Sequence, residues 1–173
     1  YLLYSLSLLE ANGDKIQLAK VLNNLGIVFW NQGNSAKALE YFFKSLKVKE
    51  NLNDLKSAAY IYNNIGLIYQ NSGDYLLALK YHNESIRIKQ SQGDKRGMSY
   101  SFMNLGEIYQ KQGDYDRALE SYFKAEKIDK ELSNLTNLAD LYVSMGQLYR
   151  AIKNPIKSLE ILKEAEKIIK NID

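Results

Sequence analysis

The sequence contains no cysteine, so disulfide bonds and thiolate metal sites are excluded. The same absence fits the cytoplasm, with the periplasm as the alternative. There is one histidine, His82. A lone imidazole without a second His or a Cys makes a poor metal site, and no other histidine completes a Ser-His-Asp arrangement. No run is long and apolar enough to span a bilayer. Strong charge of one sign is also missing: 23 basic and 20 acidic residues leave a net +3, with the signs interspersed. A nucleic-acid binder more often carries a strongly basic face. The Gly-Asp-Lys and Gly-Asp-Tyr tripeptides lack the Gly-Lys-Ser/Thr of a phosphate-binding loop. No catalytic, metal or cofactor-binding residue emerges, and no cofactor is implied.

What is present is repetition. Gly26, Gly66, Gly106 and Gly146 stand 40 residues apart, inside NNLGIVF, NNIGLIY, MNLGEIY and VSMGQLY. A fixed period of that length marks a repeat architecture, and the 46 % hydrophobic content can bury a continuous core. The period divides the chain into four units, 14–53, 54–93, 94–133 and 134–173. Residues 1–13 read as the second helix of a truncated repeat, because Tyr1 aligns with Tyr41, Ser5 with Ser45 and Asp14 with Asp54. They lack the basic n-region and the cleavage site of a signal peptide. The chain is therefore expected to be a fragment of a longer protein.

Each unit reads as two helices, A and B. Helix A of the second unit is expected over about residues 55–72, capped by Asp54, with Asp14, Asp94 and Asn134 in the same phase. Gly33, Gly73 and Gly113 stop helix A. Asn34, Asp74, Asp114 and Asn154 then cap helix B. Pro155 falls at a first helical position, where its missing N–H does no harm. Lys153 replaces the stop glycine of the last unit, and a strained or differently shaped turn is expected there. Helix B carries Leu39, Phe42, Phe43 and Leu46 in the first unit and Leu119, Tyr122 and Phe123 in the third, at amphipathic spacing. Ala38, Ala78, Ala118 and Ser158 hold a small position expected to face the glycines of helix A. His82 stands where Phe42, Tyr122 and Leu162 stand elsewhere, and reads as a helix-packing residue.

These residues resemble the tetratricopeptide repeat. The pattern of large residue, Leu-Gly, aromatic, small, aromatic, small is met by Tyr62, Ile65-Gly66, Tyr69, Ala78, His82 and Ser85. It is met again by Phe102, Leu105-Gly106, Tyr109, Ala118, Tyr122 and Ala125. The common repeat is about 34 residues; this longer form, without the frequent Pro between units, is similar to the repeats of kinesin light chain and LGN/Pins-type adaptors. Similar long repeats occur in bacterial sensor kinases and transcriptional regulators. The resemblance implies an all-α, right-handed superhelical solenoid of antiparallel helix hairpins, with a concave wall built from the A helices.

If the A helices line a groove, its wall takes Lys20, Asn23, Asn24, Ile27, Trp30 and Asn31 from the first unit. The second adds Tyr60, Asn63, Asn64, Leu67, Gln70 and Asn71. The third adds Tyr100, Met103, Asn104, Glu107, Gln110 and Lys111. The fourth adds Asp140, Val143, Ser144, Gln147 and Arg150. Amide side chains donate to and accept from a peptide backbone at once, and Tyr, Trp and Met offer contact area to its side chains. The resemblance assigns backbone-holding to Asn24, Asn64 and Asn104; Ser144 departs from it. Trp30 stands where Gln70, Gln110 and Arg150 stand elsewhere. Two roles are open to it: a partner anchor, or a cover for the half repeat missing before residue 1.

The leading expectation is a non-catalytic module that binds a protein or an extended peptide within a larger regulatory or scaffold protein. The alternative is the ligand- or peptide-sensing region of a bacterial signalling protein. RNA reading by helical repeats is opposed by the mild charge and by Glu107 and Asp140 on the wall. No nucleic-acid partner is expected. The apolar stripes at Tyr1, Leu2, Leu6 and Leu9 and along the last helix offer a route to self-association.

Overall fold

A computed structural model describes residues 14–172, so the truncated helix expected over 1–13 lies outside the described residues. The described residues form eight α-helices and no strands. They are α1 (Lys15–Asn31), α2 (Ser35–Asn51), α3 (Leu55–Ser72), α4 (Tyr75–Ser91), α5 (Lys95–Lys111), α6 (Tyr115–Glu131), α7 (Leu135–Ala151) and α8 (Pro155–Ile172). They pair as four hairpins, α1/α2, α3/α4, α5/α6 and α7/α8. The fold is all-α and its building block is the helix hairpin of a helical solenoid. The chain divides into two compact units, 1–92 and 93–173. In the first, α2 packs on α3; in the second, α6 packs on α7.

The helix boundaries follow local chemistry. Asp14, Asp54 and Asp94 each accept a backbone N–H three residues on, from Gln17, Ser57 and Gly97. Each removes one orphan donor at a helix start. Asn134 departs from this expectation. Its side chain makes no cap bond and instead donates Nδ2–H to Asp129 Oδ1 at 3.2 Å. Between the helices of a hairpin, Gly33, Gly73 and Gly113 take φ of +76°, +81° and +77°. Lys153 adopts the same hand at +60°. Its turn closes with the same two backbone bonds as its counterparts, Lys153 N–H to Arg150 O and Asn154 N–H to Tyr149 O. The turn therefore keeps its shape, and the left-handed conformation of a residue with a Cβ is where its strain resides.

Each unit has its own apolar core. In the first, Phe42, Leu46, Ile61, Ile65 and Ile68 are buried together. In the second, Tyr122, Leu141, Met145, Leu148 and Ala165 are. Ser45 Oγ donates to Ala19 O and Ser85 Oγ to Ala59 O, both at 2.7 Å, pinning helix B to helix A at one register.

Two expectations about packing are corrected. Phe43 and Phe123 are 37 % and 48 % exposed and belong to the outer face, because the buried stripe of helix B runs through Phe42 and Tyr122 instead. The helix-A glycines also meet large residues, not only the small position. A Cβ at Gly26 would lie 2.7 Å from the Phe42 ring and one at Gly66 2.8 Å from His82. At Gly106 it would fall against Tyr122 and at Gly146 against Leu162. The small position does touch helix A in the last hairpin, where Ser158 Oγ donates to Gly146 O at 2.8 Å.

Candidate functional site

In the first unit, α1 and α3 flank a concavity of about 380 Å³. Asn23, Asn24 and Lys20 reach it from α1, and Tyr60 and Asn64 from α3. Asn24 and Asn64 arrive together because each immediately precedes its Leu/Ile-Gly pair, one period apart. Tyr60 is 45 % exposed. The Nζ of Lys89, a buried residue, stands 4.9 Å above its ring centroid, an attraction between a cation and the ring face that orients the ring.

Lys49, Ser57, Ala19 and Ile61 complete the lining, and the groove reading of the sequence had not included them. Lys49 is buried on α2. Its Nζ donates to Asp54 Oδ2 at 2.7 Å, and the same carboxylate accepts from Ser57 Oγ at 2.8 Å. The Lys49 bond, ahead of those from Ser57, holds the Asp54 carboxyl below its ordinary range. A signal was available: Lys49 and Lys89 recur one period apart in the last turn of helix B.

Other expected groove residues of this unit do not line this concavity. Gln70 is buried. Asn63 Oδ1 meets His82 Nδ1 at 3.2 Å inside the hairpin. Trp30 and Ile27 are half-buried against the Phe42 core, together with Phe29, which was not an expected groove residue. Phe29 also stacks on Tyr41, with centroids 5.3 Å apart. Leu67 is half-buried.

In the second unit, Glu107, Gln110 and Lys111 of α5 and Ser144 and Gln147 of α7 line a concavity of about 270 Å³. Tyr122 forms its floor and donates its hydroxyl to Gln110 Oε1 at 3.1 Å. Burial first, and then the charge of Glu107, pushes the Tyr122 hydroxyl well above its usual range, so it stays a neutral donor. Tyr100 is exposed, Asn104 half-buried and Arg150 exposed, whereas Met103 is buried. Below this face a buried carboxylate replaces the lysine of the first unit. Asp129 Oδ2 accepts from Ser99 Oγ and from Asn137 Nδ2, both at 2.6 Å.

Among the described residues no group of three or more metal-binding side chains occurs. None of the described helices is long and apolar enough to cross a membrane.

The signature of the tetratricopeptide repeat matches residues 57–131 and 98–171, and a second such signature matches 19–52. No curated protein sequence matches the chain. Solved structures do. BtubC (BKLC) from P. vanneervenii is 22 % identical, with a TM-score of 0.82 over 92 % of this chain and 66 % of that one. A signal transduction ATPase with numerous domains, with a tetratricopeptide repeat sensor, from Pyrococcus horikoshii is 21 % identical. Its TM-score is 0.81 over 92 % of this chain and 25 % of that one. The apo form of RapI is 17 % identical, with a TM-score of 0.83 over 91 % and 44 %. The chain thus spans less than two thirds of each of these three proteins.

Proposed function

Because this chain belongs to the tetratricopeptide repeat family, a family of protein-interaction modules, we propose that it binds an extended protein segment along the exposed faces of its A helices, without catalysis. The observation that carries this is the first-unit concavity, where Asn24, Asn64 and Tyr60 converge. Two amides lining one concavity can each donate to and accept from a peptide backbone, because each offers both. Tyr60, its ring steadied by Lys89, supplies apolar area beside them. Asn104 and Tyr100 hold the same registers in the second unit and take the same roles there. Asn63, Gln70 and Met103 serve packing instead, since each is turned into the hairpin or buried.

Selection of peptides from a random displayed library against the folded chain tests this. Selected peptides should bind the wild type and lose about tenfold in affinity on Asn64→Ala, the cost of about 1.4 kcal/mol expected when backbone groups lose a partner. Peptides indifferent to Asn24→Ala, Asn64→Ala and Tyr60→Ala in folded variants would defeat the assignment.

A second reading is a sensing region within a larger signalling protein. It is favoured by the Pyrococcus horikoshii neighbour, whose tetratricopeptide repeats are a sensor and of which this chain spans only a quarter. Under this reading a bound peptide changes amide exchange in helices that do not touch it; protection confined to the contact residues counts against it.

A further inference from the structure

We propose that His82 is a proton-sensitive latch in the first unit: its neutral ring holds Asn63 inside the α3/α4 hairpin, and protonation releases that hairpin. Four observations carry it. His82 is fully buried, at a register where the other units place Phe42, Tyr122 and Leu162. Its Nδ1 lies 3.2 Å from Asn63 Oδ1. An amide oxygen only accepts, so the proton sits on Nδ1. Its Nε2 is buried without a partner. The ring rests on the backbone at Gly66, where an added Cβ would stand 2.9 Å from that same Nε2. An added proton on Nε2 would thus meet neither water nor an acceptor, and a buried charge without a partner is strongly disfavoured.

The charged groups around the ring do not relieve this. Lys89, on the same helix, adds a like charge. Glu84, the nearest acid along α4, is taken by Arg87 through two hydrogen bonds. Helix α3 has no acidic residue, and its one cation, Lys56, is exposed in the first turn. Burial first, then Lys89, lowers the imidazole from 6.5 to about 4. The sign follows: the folded state refuses a proton that the unfolded state accepts, so stability is complete above pH 6.5 and falls as the pH drops toward 4. Asn63 adjoins Asn64, so release also loosens the wall. That consequence for binding rests on the function proposed above; the latch itself does not.

The chain has no other histidine, so titration between pH 7.5 and 5.5 isolates this ring. In urea unfolding of the full chain, the unfolding equilibrium constant should rise roughly tenfold over that interval. In His82→Phe, which installs the residue of the first hairpin, it should stay nearly constant. Equal pH dependence in the two proteins overturns the proposal. Should His82→Phe fail to fold, the ring's own proton and nitrogen NMR shifts in the wild type decide. They should report a neutral Nδ1–H tautomer down to about pH 4, and Asn63→Ala should mix the tautomers. Titration near 6.5 in the folded protein, or a tautomer unchanged by Asn63→Ala, overturns it. Peptide binding may be left out of these measurements, so a failed latch and a failed groove remain distinguishable.

Discussion

The recurring glycine of helix A makes room for one large side chain of helix B, and the identity of that side chain sets what a substitution costs. Tyr122 is fully buried and its hydroxyl is tied to Gln110, so a methyl at Gly106 meets a ring that has nowhere to go. Leu162 is 38 % exposed, and its branched end swings away from a methyl at Gly146. Replacing Gly by Ala inside a helix gains about 1 kcal/mol of propensity, while overpacking a filled core costs about 1–3 kcal/mol. Gly106→Ala should therefore destabilise by up to about 2 kcal/mol and Gly146→Ala should be neutral or slightly stabilising, as read from urea midpoints. At this scale the sequence was legible where the period repeats a packing role, as for the four glycines, each pressed against a side chain of helix B. It was misleading where two faces of one helix meet. Gln70 and Met103 are polar or flexible residues at groove registers, yet both are buried, because a helix position at the edge of a stripe is settled by its neighbours' volumes.

Element boundaries were the most readable layer. Helix α3 runs over Leu55–Ser72 as its cap and stop residues predict. A cap can also do more than its local bond, and that was not readable. Asp54 accepts from Ser57 and also neutralises Lys49, whose side chain is 6 % exposed. Asp54→Ala should cost about 2–3 kcal/mol, more than a cap alone, because the lysine is left buried without its counter-charge. Asp54→Ala combined with Lys49→Met should recover part of that loss; additive losses in a double-mutant cycle would show the pair to be uncoupled. Since the folded Asp54 carboxyl lies below its ordinary 3.8, its contribution is present at neutral pH and is lost only as the pH falls below that value. The strain at Lys153 is relieved in the opposite direction. Lys153→Gly keeps the turn and removes the Cβ from a left-handed residue, so thermal unfolding should shift upward by an amount equivalent to about 1 kcal/mol.

Across the whole molecule, stability is held in two separate cores. The Phe42 core is assembled by α2 and α3, and the Leu141 core by α5, α6, α7 and α8. The period in the sequence predicts four equal units and does not announce this division, because the inner glycine of helix A and an Asp or Asn at each helix start recur in all of them. What differs is the content of one register in the last turn of helix B. Lys49 is paired with Asp54, whereas Asp129 is held by Ser99 and Asn137. Repeat arrays approximate sums of local stabilities and nearest-neighbour terms, so damage to one core should be felt first in its own helices. Leu141 is fully buried, and Leu141→Ala should cost about 2–5 kcal/mol. Hydrogen exchange followed by mass spectrometry then has a definite expectation: protection falls across α5–α8 while amides of α1–α4 keep most of theirs. An equal loss in both sets would mean that the chain opens as one cooperative body. The two cores would then stabilise each other more strongly than the interactions within each unit account for.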